Sequence, residues 1–96
     1  MSHLIFSREA LRDLTRLSDF LATKDKAVAR RAGVTIIASL EAMMKSPEAY
    51  RPVQDRPTER ELVIKFGATG YLARYRYERG GDVYVLRVWH QLESRE

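Results

Sequence analysis

A chain of 96 residues suits a single domain, 1–96, with one modest core, and 45% hydrophobic with 31% charged residues is too apolar for a disordered polymer. Zero cysteines exclude a disulfide framework, a thiolate nucleophile and a thiolate metal site, and no apolar run reaches the roughly 20 residues that span a bilayer. Seventeen Lys plus Arg against thirteen Asp plus Glu leave a charge of +4, mostly from arginine, whose planar donor fork suits the carboxylates of an acidic protein or the phosphates of nucleic acid.

His3 to Phe6 is a short β-prone run, and Ser7 follows as an N-cap with Glu9 in the positive first turn of a helix. Ala10, Leu14, Leu17 and Leu21 recur at helical spacing, widened by Leu11 and Phe20, while Arg8, Arg12, Arg16 and Asp19 lie largely off that stripe. Thr23-Lys24-Asp25 breaks the pattern, and Asp25 is placed to cap a second helix from Lys26 to about Lys45. Its apolar positions are Ala29, Ala32, Ile36, Leu40 and Met43. Gly33 weakens it by about 1 kcal/mol relative to alanine without breaking it, and Pro47 stops it. Two amphipathic helices with so short a connection make an αα-hairpin.

Tyr50 to Thr58 carries Pro52 and Pro57 and reads as an extended connector whose prolines limit sheet pairing. Beyond it the hydrophobic period drops from 3.6 to 2. Glu61 to Phe66 sets Leu62, Ile64 and Phe66 against Glu61, Val63 and Lys65. After a Gly67-Ala68-Thr69-Gly70 turn, Tyr71 to Tyr77 sets Tyr71, Ala73, Tyr75 and Tyr77 against Leu72, Arg74 and Arg76. A second turn at Arg79 to Asp82 leads to Val83 to His90, where strict alternation places Tyr84, Leu86, Val88 and His90 opposite Val85, Arg87 and Trp89. The order is an N-terminal strand, the αα-hairpin and a three-stranded antiparallel meander. An α+β fold follows, with both helices on one face of the sheet and arginines and tyrosines on the other.

The run Arg60-Glu61-Leu62-Val63-Ile64, the pair Gly70-Tyr71 opening a strand with Tyr75-Arg76 near its middle, and Val83 to Val88 leading into His90-Gln91 resemble the RelE/ParE superfamily of toxins. The resemblance implies the toxin component of a type II toxin-antitoxin module that arrests growth, stabilises plasmids and is neutralised by a cognate antitoxin. Operator DNA would be met only through that antitoxin, and no cofactor is implied. Two activities are known in the superfamily. RelE-like members cut mRNA on the ribosome, using basic residues to orient the 2′-hydroxyl and stabilise the phosphorane; ParE-like members poison DNA gyrase and block replication. RelE-like chains carry an arginine soon after the Gly-Tyr pair, where Leu72 stands here, and another just after the last strand, where Gln91 and Leu92 stand. The ParE-like activity is therefore expected, with the ribosome-dependent mRNA endonuclease as the alternative.

Arg60, Arg74, Arg76, Arg87, Trp89, His90 and Gln91 are the candidate contacts to target or antitoxin, and in a ribonuclease Arg74, Arg76 and His90 would be the catalytic set. His90 can act as a general acid or base near neutral pH, or simply hydrogen-bond a neighbouring backbone group at the strand end. Two histidines so far apart give no metal-ligand spacing. Trp89, sharing a face with Val85, is expected in the core or against the antitoxin, and the tail from Arg87 to Glu96 is the expected target contact. A non-enzymatic nucleic-acid-binding module using the Arg and Tyr face is the reading from another class, and steep salt dependence would mark it. Because Met1 to Leu4 lacks a basic start followed by an apolar stretch, a cytoplasmic location is expected.

Overall fold

Ser7 is extended (φ −67°, ψ 164°) and its hydroxyl accepts from the Ala10 N–H at 3.0 Å, which starts α1, Arg8–Ala22. Asp25 does the same for α2, Lys26–Met43, with one carboxylate oxygen accepting from the N–H groups of Ala27 and Val28. Both caps satisfy donors that a helix start leaves without partners. The computed structural model describes residues 2–93, and its remaining elements are strands: β1 (Leu4–Phe6), β2 (Arg51–Val53), β3 (Arg56–Phe66), β4 (Thr69–Tyr77) and β5 (Val83–His90). They form one five-stranded mixed sheet in the order β1-β5-β4-β3-β2, in which only β1 and β5 are parallel.

Three sequence expectations need correction. The proline-bearing connector does pair: Pro52 lies opposite Arg60 in β2, and β3 begins at Arg56, ahead of Pro57. This is tolerated because β2 is an edge strand, where a missing N–H leaves no partner strand unsatisfied, and because Asp55 takes the turn conformation at φ 64°. Gly70 belongs to β4 and not to the turn, which is closed by Gly67 at φ 62° and Ala68. A Cβ on Gly70 would run into the Ile64 carbonyl. Most consequential is a bulge in β5. Arg74 opposes Arg87 but Tyr75 opposes Val85, so Leu86 has no partner across the ladder and the alternation of sides is reversed beyond it. Val88 and His90 thereby join Val83 and Val85 on the helix side, and Trp89 turns to the other face, away from Val85.

The core lies between the helices and the sheet and is built from Leu17, Ile36, Leu40, Met43, Leu62, Ile64, Tyr71, Tyr75 and the three valines of β5. Tyr75 is fully buried, and its hydroxyl donates to the Pro47 carbonyl at 2.6 Å, which ties the end of the helical hairpin to the middle of β4. Burial pushes that phenol up to about 12.

Beta1 covers β5 only as far as Val85, so the edge of β5 beyond it would be open. Side chains of α1 close it. The Ser7 hydroxyl donates to Leu86 O at 2.8 Å, the Asp13 carboxylate accepts from Val88 N at 2.9 Å, and Arg16 Nη2 donates to Val88 O at 3.4 Å. Asp13 is 2% exposed, the buried charge among the described residues, and also receives Arg16 Nη1 at 2.6 Å and Arg87 Nε and Nη2 at 2.8 and 3.1 Å. Burial alone would raise its carboxyl, but the hydrogen bonds from Arg87, Arg16 and the Val88 amide outweigh it and hold the pKa below the ordinary 3.8.

Removing one member of such a buried set strands the others, so Asp13→Ala should cost about 3 to 5 kcal/mol in urea unfolding. Because the folded pKa is depressed, the stability Asp13 adds is complete above its unfolded value and is lost as pH falls through the folded one. The gap between wild type and Asp13→Asn should therefore be largest at pH 7 and close below about pH 4. Two glycine substitutions should move in opposite directions. Gly70→Ala should destabilise by about 2 kcal/mol through its backbone clash, whereas Gly33→Ala, with open space around the new methyl group, should stabilise α2 by about 1 kcal/mol.

Candidate functional site

Small residues on the facing sides of the helices leave a furrow between α1 and α2. Leu14, Leu17 and Leu21 form one wall, Ala29, Ala32, Ile36 and Ile37 the other, with Ser18 and Gly33 along it and Tyr71 at its end, around about 190 Å³. Leu17, Leu21 and Tyr71 also line a larger cavity of about 670 Å³ at the end of the sheet, so the two spaces adjoin at these side chains. Phe20, Phe66, Thr69, His90 and Leu92 surround this second space, with Arg16 and Glu93 at its charged border. Phe20 is 61% and Leu92 79% exposed. Large apolar side chains ranged along a groove and open to water mark an interaction surface, since water covers such area at a free-energy cost that a partner removes. Lys24 lies over the Phe20 ring at 4.9 Å and adds a cation to the rim.

His90 organises the charged end. Its Nδ1 accepts from the Leu92 N–H at 3.2 Å, which assigns the proton to Nε2, 2.9 Å from the Thr69 hydroxyl. Its ring meets Tyr71 edge-on with centroids 5.5 Å apart. The Glu93 N–H donates to the His90 carbonyl at 2.9 Å, and the turn so formed brings the Glu93 carboxylate back onto three donors. These are His90 N at 2.9 Å, Arg16 Nε at 3.1 Å and Arg16 Nη2 at 3.0 Å. Burial works to raise the Glu93 carboxyl; the hydrogen bonds from Arg16 and the His90 amide outweigh it and leave the pKa below the usual carboxylate value.

The other candidate residues lie elsewhere. Arg74, Arg76, Arg87 and Trp89 share the face of the sheet turned away from the helices. Arg74 is bound to Glu61 at 2.7 Å and Arg87 to Asp13, and both guanidinium groups lie over the Trp89 ring, at 5.3 and 5.0 Å. The indole is 4% exposed beneath them. Arg76 lies over Tyr84 at 5.0 Å and is exposed. Arg60 is on the helix side, donating to the Tyr50 carbonyl at 2.7 Å and fastening the connector. Gln91 is exposed at the strand end, with its backbone N–H on Gly70 O. The His90 ring packs on Tyr71 at the helix side of the strand end, while Arg74 and Arg76 extend from the opposite face, and no acid, base and phosphate-binding set is assembled from those three. Among the described residues no cluster of three or more His, Asp or Glu is placed to hold a metal, and no helix is long and apolar enough to cross a membrane. Ser94 to Glu96, the end of the tail expected to meet the target, lie outside the described residues.

Sequence reasoning missed Asp13, Arg16 and Glu93. For Asp13 the signal was present: it sits three residues after Ala10 and four before Leu17, on the apolar stripe where a carboxylate has to be paired. Little local distinguishes Arg16 from its neighbours Arg8 and Arg12, because its partners other than Asp13 are 72 or more residues away in β5 and the tail.

The model of the ParE toxin family of type II toxin-antitoxin systems, parDE, matches residues 4–95. Toxin RelE1 of Caulobacter vibrioides is 39% identical over 92 residues, which is 96% of each chain, and Toxin RelE3 of the same organism is 34% identical over 86 residues, 90% of each. A solved structure titled "Chromosomal ParDE TA system from P. aeruginosa" superposes with a TM-score of 0.77 at 20% identity, over 94% of this chain and 96% of that one, and so shares the fold. The sheet-and-hairpin architecture, the match along nearly all of the sequence and the two close relatives agree: the chain belongs to the ParE/RelE family of toxins, which act with a cognate antitoxin in type II toxin-antitoxin systems.

Proposed function

We propose that this toxin inhibits DNA gyrase and so blocks replication, and that its antitoxin neutralises it by laying an amphipathic segment in the apolar groove. The observation that carries the first part is the division of the candidate nuclease residues between two faces of the sheet. Cleavage of RNA by 2′-hydroxyl attack needs a proton acceptor and cations within hydrogen-bond reach of one phosphate. Here His90 points to the helix side, while on the opposite face Arg74 is bound to Glu61. Leu72 and Gln91 stand where an RNA-cutting relative would place two further cations. The matching family model is named ParE and the two curated relatives RelE, so the choice rests on the placement of these residues and not on names.

The groove supports the second part. Its apolar walls and exposed Phe20 and Leu92 fit the apolar face of a helix or strand, and the chain's net charge of +4 favours an acidic partner. The C-terminal segment leaves β5 at the end of this groove, so a segment seated there would cover Leu92 and Glu93, part of the expected target contact. Neutralisation then requires only that antitoxin and target compete for one surface.

With purified gyrase, wild-type toxin should stop supercoiling and accumulate cleaved DNA, and prior addition of antitoxin should restore the activity. Supercoiling that continues at toxin excess would sink the gyrase reading. Added to translating ribosomes, the toxin should leave message intact; codon-specific cuts in the ribosomal A site would transfer the assignment to an mRNA endonuclease. Phe20→Asp, which puts a charge on the exposed rim of the groove, should weaken antitoxin binding by about tenfold or more with little change in thermal stability.

A further inference from the structure

The Glu93 carboxylate is held as a bound ligand would be. It accepts three N–H donors at 2.9 to 3.1 Å, two of them from the Arg16 fork and one from the His90 backbone. Those donors are fixed independently of it. Asp13, buried, holds Arg16 Nη1 at 2.6 Å, the Val88 carbonyl accepts from Nη2, and the His90 amide is set by the end of β5. A pre-oriented guanidinium fork with an added backbone donor is a carboxylate receptor, because little order has to be imposed when the anion arrives.

Among the described residues, the chain's own tail fills only half of the place. Leu92, the residue before Glu93, borders the apolar cavity beside Phe20 and Phe66 and yet remains 79% exposed. The turn that delivers the carboxylate holds the leucine out of the space next to it, since the Leu92 N–H is tied to His90 Nδ1. Among the described residues, Glu93 occupies the charged half and no side chain fills the apolar half. We propose that Arg16 and the His90 amide form a carboxylate-binding site, occupied by Glu93 in the free toxin and taken over by an acidic side chain of the antitoxin whose neighbouring apolar side chain fills the cavity beside Phe20. Glu93 is then a built-in competitor that gives way to a ligand satisfying both halves. The ion pair it leaves is partly open to water, with both side chains more than a third exposed at 43% and 34%, and such pairs exchange partners readily. This inference rests on the reading that the antitoxin seats in the groove.

The test is a binding titration of the intact toxin with the antitoxin encoded beside it, using wild type, Glu93→Gln, Arg16→Lys and the double variant. Removing the competitor should tighten binding several-fold, up to about tenfold if Glu93 fills the site nine-tenths of the time. Losing the fork in Arg16→Lys should weaken it by about tenfold, and the gain from Glu93→Gln should vanish in the Arg16→Lys background. Circular dichroism of each variant guards against loss of fold, and the Glu93→Gln arm stands even if Arg16→Lys fails to fold. Unchanged or weaker binding by Glu93→Gln would overturn the competitor role while leaving the groove reading intact. Failure of the antitoxin to bind wild-type toxin at all would overturn the groove reading instead.

Discussion

Asp13 is the constraint on which the arrangement depends. A carboxylate in the apolar stripe of α1 is costly to bury unless every lone pair is used, and here it is used on the backbone of Val88 and on two guanidinium groups. That single side chain fixes the distance of α1 from β5, seals a strand edge that β1 is too short to cover, and orients Arg16 and Arg87 in opposite directions. An exposed strand edge invites pairing with other chains, and side chains of α1 close this one in place of another strand.

The two arginines so oriented serve the two faces differently. Arg16 is directed toward the cavity at the end of the sheet, where its remaining donors meet the tail. Arg87 reaches around the edge from the outer face and, with Arg74, covers the indole of Trp89. Both depend on the bulge at Leu86, without which Trp89 would be driven into the core and Val88 out of it. One unpaired residue in β5 therefore decides that the helix side is a tight apolar core ending in a groove, and that the outer side is a layer of cations stacked on aromatic rings and tied down by carboxylates.

Most of the architecture was legible in the sequence because it is local. Ser7 and Asp25 announce their helices, the three-and-four spacing of leucines and alanines defines the buried faces, and the alternation in β3 places Leu62 and Ile64 inward, as they are found; Tyr71 and Tyr75, expected with the arginines on the outer face, are instead buried on the helix side, where their rings fill the core. The bulge was not legible, since Val85, Leu86 and Val88 are equally suited to either side and only the pairing with β4 selects between them. Nor was the pairing of β1, whose three residues carry no sign of a partner strand. The site was read less well than the fold. His90 ends β5 and Gln91 follows it, and the reading of His90 as a histidine bonded to nearby backbone is what its Nδ1 does. The groove required knowledge of which leucines of α1 face α2 and which face water. Phe20 and Leu92, unremarkable in a list of apolar residues, stand out only when their exposure is seen.

The stacked guanidinium layer has an optical consequence. Trp89 is the only tryptophan in the chain, and its indole is enclosed between Arg74 and Arg87 with almost no access to water. Its emission reports the integrity of the outer face and of the Asp13 edge to which Arg87 is bound, so it follows unfolding closely. The groove lies on the other side of the sheet, lined by phenylalanine, tyrosine and histidine, and a segment docking there leaves the indole's surroundings unaltered. Intrinsic fluorescence is accordingly a sensitive thermometer for this toxin and a nearly blind witness to the occupation of its groove.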